Sequence, residues 1–232
     1  MAVSEVASVA RRRRLVELVG PAGVGKTTVA HLLRRPGGGM RAAPGLWSLP
    51  RGPLGLNTLR LLPRVLGFYR RLPRDMWEEM KQIVRLDTLY QVVGRQNGVT
   101  GPVLLDEGPV LALGWLTVNG DDRVHRPSFS AWRDGAVARW AAALDVVVLL
   151  DAPDAILARR IRERTKAHPV KASPYGEIVA FVRAFRAALA GAVAALQAAG
   201  PVTVIRIDTS DASPETTAAR IRAELDRLSH GD

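Results

Sequence analysis

The stretch Leu15-Val16-Glu17-Leu18-Val19-Gly20-Pro21-Ala22-Gly23-Val24-Gly25-Lys26-Thr27-Thr28 runs from an apolar segment through a glycine-rich loop to a lysine and two threonines. Residues 15–19 have the length and near-continuous apolar character of a buried strand, and a helical pattern begins after the loop. Gly20 to Thr27 satisfies G-x-x-x-x-G-K-[ST] between that strand and that helix, the setting in which the pattern has a mechanical meaning. Its glycines let backbone N–H groups converge on phosphate oxygens, and the following helix offers its positive N-terminal end. Lys26 is placed to reach the β and γ oxygens and Thr27 to ligate Mg²⁺. The expected ligand is ATP·Mg²⁺, held by Gly20, Pro21, Ala22, Gly23, Val24, Gly25, Lys26, Thr27 and Thr28.

Three more apolar runs, 103–105, 146–150 and 202–207, read as strands with helical patterns between them. Alternation at this spacing predicts a parallel sheet with right-handed crossovers, a three-layer α/β sandwich in a single domain spanning 1–232. The connection over 36–102 is too long to be simple. Its first part, 36–53, is rich in Gly and Pro and predicts loop with a short strand around 46–49. Its second part predicts helices over about 54–72 and 75–96, the latter with Asp75 as N-cap and ending near Gly98.

Two other constellations carry charge to the C-terminal ends of the predicted strands. Asp106 and Glu107 end the second apolar run, beside the first strand in such a sheet. In a kinase, Asp106 would hold the metal through water or take the acceptor proton, with Glu107 assisting. In an ATPase, Asp106 would be the metal carboxylate and Glu107 would activate water. After the third run, Asp151-Ala152-Pro153-Asp154 opens a helix with an apolar stripe of Ile156, Leu157 and Ile161. Arg159, Arg160, Arg162, Arg164 and Lys166 crowd its other face. Arg160 and Arg164, one turn apart, can both close on a transferring phosphoryl group, which favours the kinase.

The 232 residues are 47% apolar, contain no cysteine and carry a net charge of +11. Thiolate metal sites and Cys nucleophiles are therefore excluded. No uninterrupted apolar run reaches the roughly 18 residues of a membrane span, and Arg11 to Arg14 are followed too soon by Glu17 for a secretory leader, so a cytoplasmic protein is expected. That basic run reads as a solvated lead-in to the first strand. The arginine surplus suits phosphate handling but does not separate a nucleotide from a polynucleotide. Trp132 and Trp140 share a helical pattern with Val137 and read as core. Trp47, in the Gly/Pro-rich stretch, is a candidate for stacking on a planar acceptor. His31, His125, His168 and His230 show no metal-ligand spacing and are given no chemistry.

GPAGVGKT at 20–27, LLDEG at 104–108, VVVLLDAPDAILARRIRER at 146–164 and VTVIRIDTS at 202–210 together resemble the nucleoside and nucleoside-monophosphate kinase-like P-loop family, which includes thymidylate and deoxynucleoside kinases. The resemblance implies a P-loop NTPase fold with a five-stranded parallel sheet of order 2-3-1-4-5. It also implies a lid at about 162–175 that supplies arginines to the phosphates, with Asp208 and Thr209 near the adenine. The helical insert, about 40–98, corresponds to the family's acceptor-binding region. Arg85 is the leading candidate there to hold the acceptor, among Arg60, Arg64, Arg70, Arg71 and Arg74. Thymidylate kinases place Asp-Arg, and deoxynucleoside kinases Glu-Arg-Ser, where this chain has Asp106-Glu107-Gly108, so the small-molecule acceptor is not identified, and the resemblance implies a nucleoside, nucleotide or similar metabolite. The competing readings are an ATP-hydrolysing P-loop ATPase, without a visible LSGGQ-like signature, and a polynucleotide 5′-kinase or other nucleic-acid binder, without interleaved aromatic and basic strands. No Asn-Lys-x-Asp element marks a GTPase. The oligomeric state is open, a homodimer included.

Overall fold

The first apolar run becomes the centre of the sheet because its apolar side chains can be covered on both faces and its one acid, Glu17, finds partners inside the fold. The computed structural model describes residues 13–45, 48–66, 76–94, 101–120 and 127–230. Strand β1 (Arg14–Val19) pairs in parallel with β3 (Pro102–Leu105) on one side and β4 (Val146–Asp151) on the other. Leu15 and Val19 pack into one apolar layer while Val16 and Leu18 pack into the opposite one, the period-two alternation of a strand covered on both faces. The edges are β2 (Arg41–Ala42), beside β3, and β5 (Thr203–Asp208), beside β4. The five-stranded order is β2-β3-β1-β4-β5, as the resemblance implies.

Helix α1 (Lys26–Arg34) and α8 (Pro214–His230) pack together on the face of Val16 and Leu18, where Leu157, Ala158 and Ile161 of α6 (Asp154–Glu163) join them. On the face of Leu15 and Val19 lie α3 (Met76–Gly94), α4 (Pro109–Asn119), α5 (Pro127–Ala141) and most of α7 (Tyr175–Ala199). Trp132 and Trp140 of α5 are buried in that layer, as their spacing indicates. Helix α2 (Arg51–Leu66) contains Pro63 and begins earlier than its apolar pattern does. A buried amide ties it to α3. Asn57 donates to Asp87 and to the Thr88 hydroxyl, while its own oxygen accepts from Gln91. Leaving such an amide unpaired would cost about 1–3 kcal/mol, so the network fixes how α2 seats.

Three expectations are corrected, and the expected ends of two helices lie outside the described residues. A short strand is at Arg41–Ala42; of the expected 46–49, Ser48 and Leu49 are not in a strand and Leu46 and Trp47 lie outside the described residues. It arrives early because the chain reverses at once after α1: Gly38 presses on the carbonyls of Leu32 and Leu33 where a Cβ would sit 2.4–2.7 Å from backbone. The helix expected over 54–72 is described only over 51–66 and that over 75–96 only over 76–94, with Asp75 and Gly98 outside the described residues. Arg13 and Arg14 are not a solvated lead-in. On alternate faces of the strand, Arg13 donates to Val93 O at the end of α3, and Arg14 donates to Leu225 O, Leu228 O and Ser229 Oγ at the end of α8. Each cation satisfies carbonyls that a helix C-terminus leaves orphaned. Finally, α7 is by length and composition apolar enough to cross a membrane, which a search for uninterrupted runs misses because Arg183 and Arg186 break it. Here it buries Ile178, Val182, Leu189, Val193 and Leu196 within the two layers.

Glu17 is the exception among these buried residues. It is fully buried in mid-strand, and its carboxylate accepts the N–H groups of Gly108 (3.1 Å), Val110 (2.9 Å) and Leu111 (3.1 Å) at the start of α4. Burial raises its pKa to about 7, against the pull of those three donors and of Lys26. An acid whose folded-state pKa lies above its unfolded value of 4.5 binds more protons when folded, so its ionisation costs stability as pH rises from about 4.5 to 7. The cost reaches up to about 3 kcal/mol across that window. Urea denaturation at pH 5 and pH 7.5 should show Glu17→Gln less stable at both values, because its amide NH₂ faces N–H donors, and with a flatter pH dependence than the parent. Equal slopes in the two proteins would refute the assignment.

Candidate active site

The loop after β1 is shaped by two close approaches. A Cβ at Gly20 would lie 2.4 Å from Leu150 O of β4, and one at Gly23 would lie 2.8 Å from Leu157 O of α6. Gly23 and Gly25 also adopt φ of +85° and +88°, where side-chain-bearing residues are strained. The loop is thus pressed between β4 and α6 while its outer rim stays open. Gly25 is the N-cap of α1 and no side chain caps that helix, so its first N–H groups remain available to an anion.

These residues line a cleft of about 620 Å³ with Gly20 through Thr28 along one wall. The remaining lining is Glu107 and Leu111 from the β3–α4 corner, Arg160 and Arg164 from the end of α6, Thr165, Lys166 and His168 from the loop that follows, and Phe181 and Phe185 from α7. The structure therefore brings Lys26, Thr27, Thr28, Glu107, Arg160 and Arg164 to one place. Glu107 has a raised pKa because burial outweighs the opposing pull of Lys26; Asp106 raises it further, and Arg34 and Arg85 lower it.

Asp106 is turned differently. Its carboxylate pairs with Arg34 at the end of α1 (3.5 Å) and is absent from the cleft lining, while its Oδ1 is buried without a hydrogen-bond partner. A buried orphan oxygen close to Glu107, with the Thr27 hydroxyl in the cleft, suits a hard cation that takes few protein oxygens and completes its shell with phosphate and water. No cluster of three or more His, Cys, Asp or Glu occurs among the described residues. Arg85 lies outside the lining but within electrostatic reach of Glu107, its pKa lowered by burial. Trp47, Arg70, Arg71 and Arg74 lie outside the described residues.

The loop after β5 is occupied with holding the structure. Thr209 is buried, and its hydroxyl lies 3.1 Å from Asp151 O and accepts from Arg160 Nη1 at 3.2 Å. Arg160 also donates to Thr209 O (2.8 Å) and Ser210 O (3.3 Å). Asp208 accepts from the Ser210 N–H and hydroxyl, which holds its carboxyl below the usual range. Neither Asp208 nor Thr209 lines the cleft. Arg164, by contrast, makes no side-chain hydrogen bond or ion pair among the described residues.

The segment expected as a lid, 162–175, begins in the last turn of α6, spans the loop 164–174 and ends at the first residue of α7. The two helices that flank it are cross-linked, away from the loop, by a feature the sequence reading did not anticipate. Arg186 of α7 grips Asp151 through Nε (2.8 Å) and Nη2 (3.1 Å), Asp154 through Nη1 (2.6 Å) and Ala152 O through Nη2 (3.0 Å). Arg183 adds a bond to Asp154 at 2.6 Å. Within the loop, Lys171 Nζ donates to Arg164 O at 2.6 Å.

No protein-family model matches this chain, and no curated protein sequence matches it. Solved structures do. A deoxyadenosine kinase from M. mycoides, with dCMP and a flexible dCDP bound, superposes with a TM-score of 0.55 at 15% identity over 91% of this chain and 98% of its own. The same kinase with dATP gives 0.53 at 15% identity over 92% and 99%. A shikimate kinase from Bacteroides thetaiotaomicron gives 0.50 at 14% identity over 92% and 98%. The chain thus has the fold of P-loop kinases along nearly its whole length.

The different partners of the two arginines separate their roles. Arg160→Ala, which releases the carbonyls of Thr209 and Ser210, should weaken ATP binding by about tenfold, whereas Arg164→Ala should leave it within about threefold. Titration of ATP into each variant measures this, and equal losses would contradict the division.

Proposed function

We propose that the cleft transfers the γ-phosphoryl group of ATP to the hydroxyl of a small acceptor. The observation that carries this reading is the seat of Glu107: a carboxylate with raised pKa lining the same cleft as Lys26 and the uncapped start of α1. A general base with its pKa moved toward neutrality is suited to accept a hydroxyl proton. The likeness to kinases named for deoxyadenosine and for shikimate supports a small-molecule acceptor.

In this mechanism the N–H groups of 23–27 and the Lys26 ammonium bind the β and γ phosphates. Arg164 and Lys166 approach the γ oxygens from the other wall, where cationic donors stabilise charge spread over the transferring group. Thr27, and Asp106 through a water, would hold Mg²⁺, which would supply neutralisation of phosphate charge. The acceptor oxygen forms its bond to the γ phosphorus as the bond to the β–γ bridging oxygen breaks; its proton passes to Glu107 and ADP leaves. Arg85 borders the acceptor side through its interaction with Glu107. The loop 164–174 covers the phosphates and limits loss of ATP to water. A cysteine-free chain with this chemistry suits the cytoplasm.

The test is an ADP-release screen across nucleosides, nucleotides, sugars and amino sugars, with an acceptor-free control. ADP release should depend on a hydroxyl acceptor, Lys26→Ala should abolish it without unfolding the protein, and Glu107→Gln should lower kcat by about 10²–10⁴ with a smaller change in the KM for ATP. Unchanged turnover in Lys26→Ala, or ADP release as fast without any acceptor, would sink the proposal.

A further inference from the structure

His168 falls within the phosphate cleft although its position in the sequence carries no motif. It sits in the loop between α6 and α7 and lines the cleft with Arg164, Thr165 and Lys166, across from Lys26 and Glu107. Its ring stands edge-on against Phe181, with centroids 5.3 Å apart and planes at 82°, and Phe181 in turn leans on Phe185 at 4.9 Å. The backbone is fixed as well, since His168 O accepts the Lys171 N–H at 3.0 Å. A side chain held from both ends in this way has a defined direction.

Nδ1 is buried and has no hydrogen-bond partner. Placing a proton there would bury an unpaired N–H, so the neutral tautomer that avoids this carries its proton on Nε2. Burial and the nearby Arg164 cation both disfavour the doubly protonated ring, and its pKa is lowered accordingly. Nε2 is then the one nitrogen able to engage a ligand. The cleft already gathers Lys26, Arg160, Arg164 and Lys166, so a further donor without charge adds a hydrogen bond and no repulsion.

We propose that His168 is a catalytic residue whose Nε2–H group donates a hydrogen bond to a γ-phosphoryl oxygen of the bound nucleoside triphosphate, as a neutral donor among cationic ones. This rests on the phosphoryl-transfer reading of the cleft. The surrounding aromatic seat makes two substitutions informative in opposite senses. His168→Phe keeps the contact with Phe181 but has no donor, while His168→Gln offers an amide N–H near the place of Nε2 but loses the ring contact. If the hydrogen bond matters, His168→Phe should lower kcat by about tenfold or more with little change in the KM for ATP, and His168→Gln should stay within about threefold of the parent. The reverse ranking would mean that the ring only packs, and would overturn the proposal.

A second measurement does not need turnover. Long-range ¹H–¹⁵N spectra of the imidazoles, with the His168 signal identified by its loss in His168→Gln, should show a neutral ring protonated at Nε2. That signal should shift when Mg²⁺ and a non-hydrolysable ATP analogue are added, and should not shift with AMP. Calorimetric titration of the same sample shows whether the analogue binds. Binding without a shift at His168 would overturn this proposal and leave the function of the cleft standing; no binding at all would overturn both.

Discussion

Three backbone N–H groups at the start of α4 converge on one buried carboxylate, that of Glu17 in the middle of β1. This interaction joins the strand that carries the phosphate loop to the corner that carries Asp106 and Glu107, so the two walls of the cleft keep a fixed relation. It also explains the small residue at the corner. A Cβ at Gly108 would come within 2.7 Å of the Glu17 carboxyl carbon, and that carboxyl group is held in place by its hydrogen bonds. Where the kinases that the sequence resembles place an arginine after the first carboxylate, this chain has Glu107, followed by Gly108. The glycine follows from packing. Glu107 puts a titratable acid, rather than a cation, in the lining of the cleft.

Basic side chains divide into those that hold the fold and those left for a ligand. Arg13 and Arg14 close the ends of α3 and α8, Arg183 and Arg186 cross-link the helices that flank the 164–174 loop, Arg34 pairs with Asp106, and Arg160 binds the carbonyls after β5. Each therefore meets carbonyl dipoles or carboxylates of its own chain, and part of the +11 charge serves internal order rather than an anionic partner. Lys26, Arg164 and Lys166 line the cleft together with Arg160.

The legible parts of the sequence were those encoded over short distances. The glycines of 20–25 report local backbone conformation, the apolar runs report strands, and the spacing of Trp132 and Trp140 reports a buried helix face. What stayed hidden depends on contacts between distant segments. Glu17 looked like one polar residue in an apolar run, since its donors lie 91 to 94 residues away. Arg186 carried no signal in the sequence, and His168 read as a lone histidine without ligand spacing, until the fold set them beside Asp151 and in the lining of the cleft. Of the two carboxylates singled out at the end of the second apolar run, Glu107 lines the cleft and Asp106 does not. Which of them lines the cleft is decided by Arg34, whose place at the end of α1 carries no sequence signal.

The division between kinase and hydrolase turns on where the γ-phosphoryl group goes. ³¹P NMR of the protein with ATP, Mg²⁺ and an acceptor alcohol from the active class follows that group directly. A phosphomonoester resonance rising in step with ADP is the result expected of a cleft in which Glu107 takes a proton from an acceptor hydroxyl. Growth of inorganic phosphate alone, at the same rate with and without the acceptor, would contradict it.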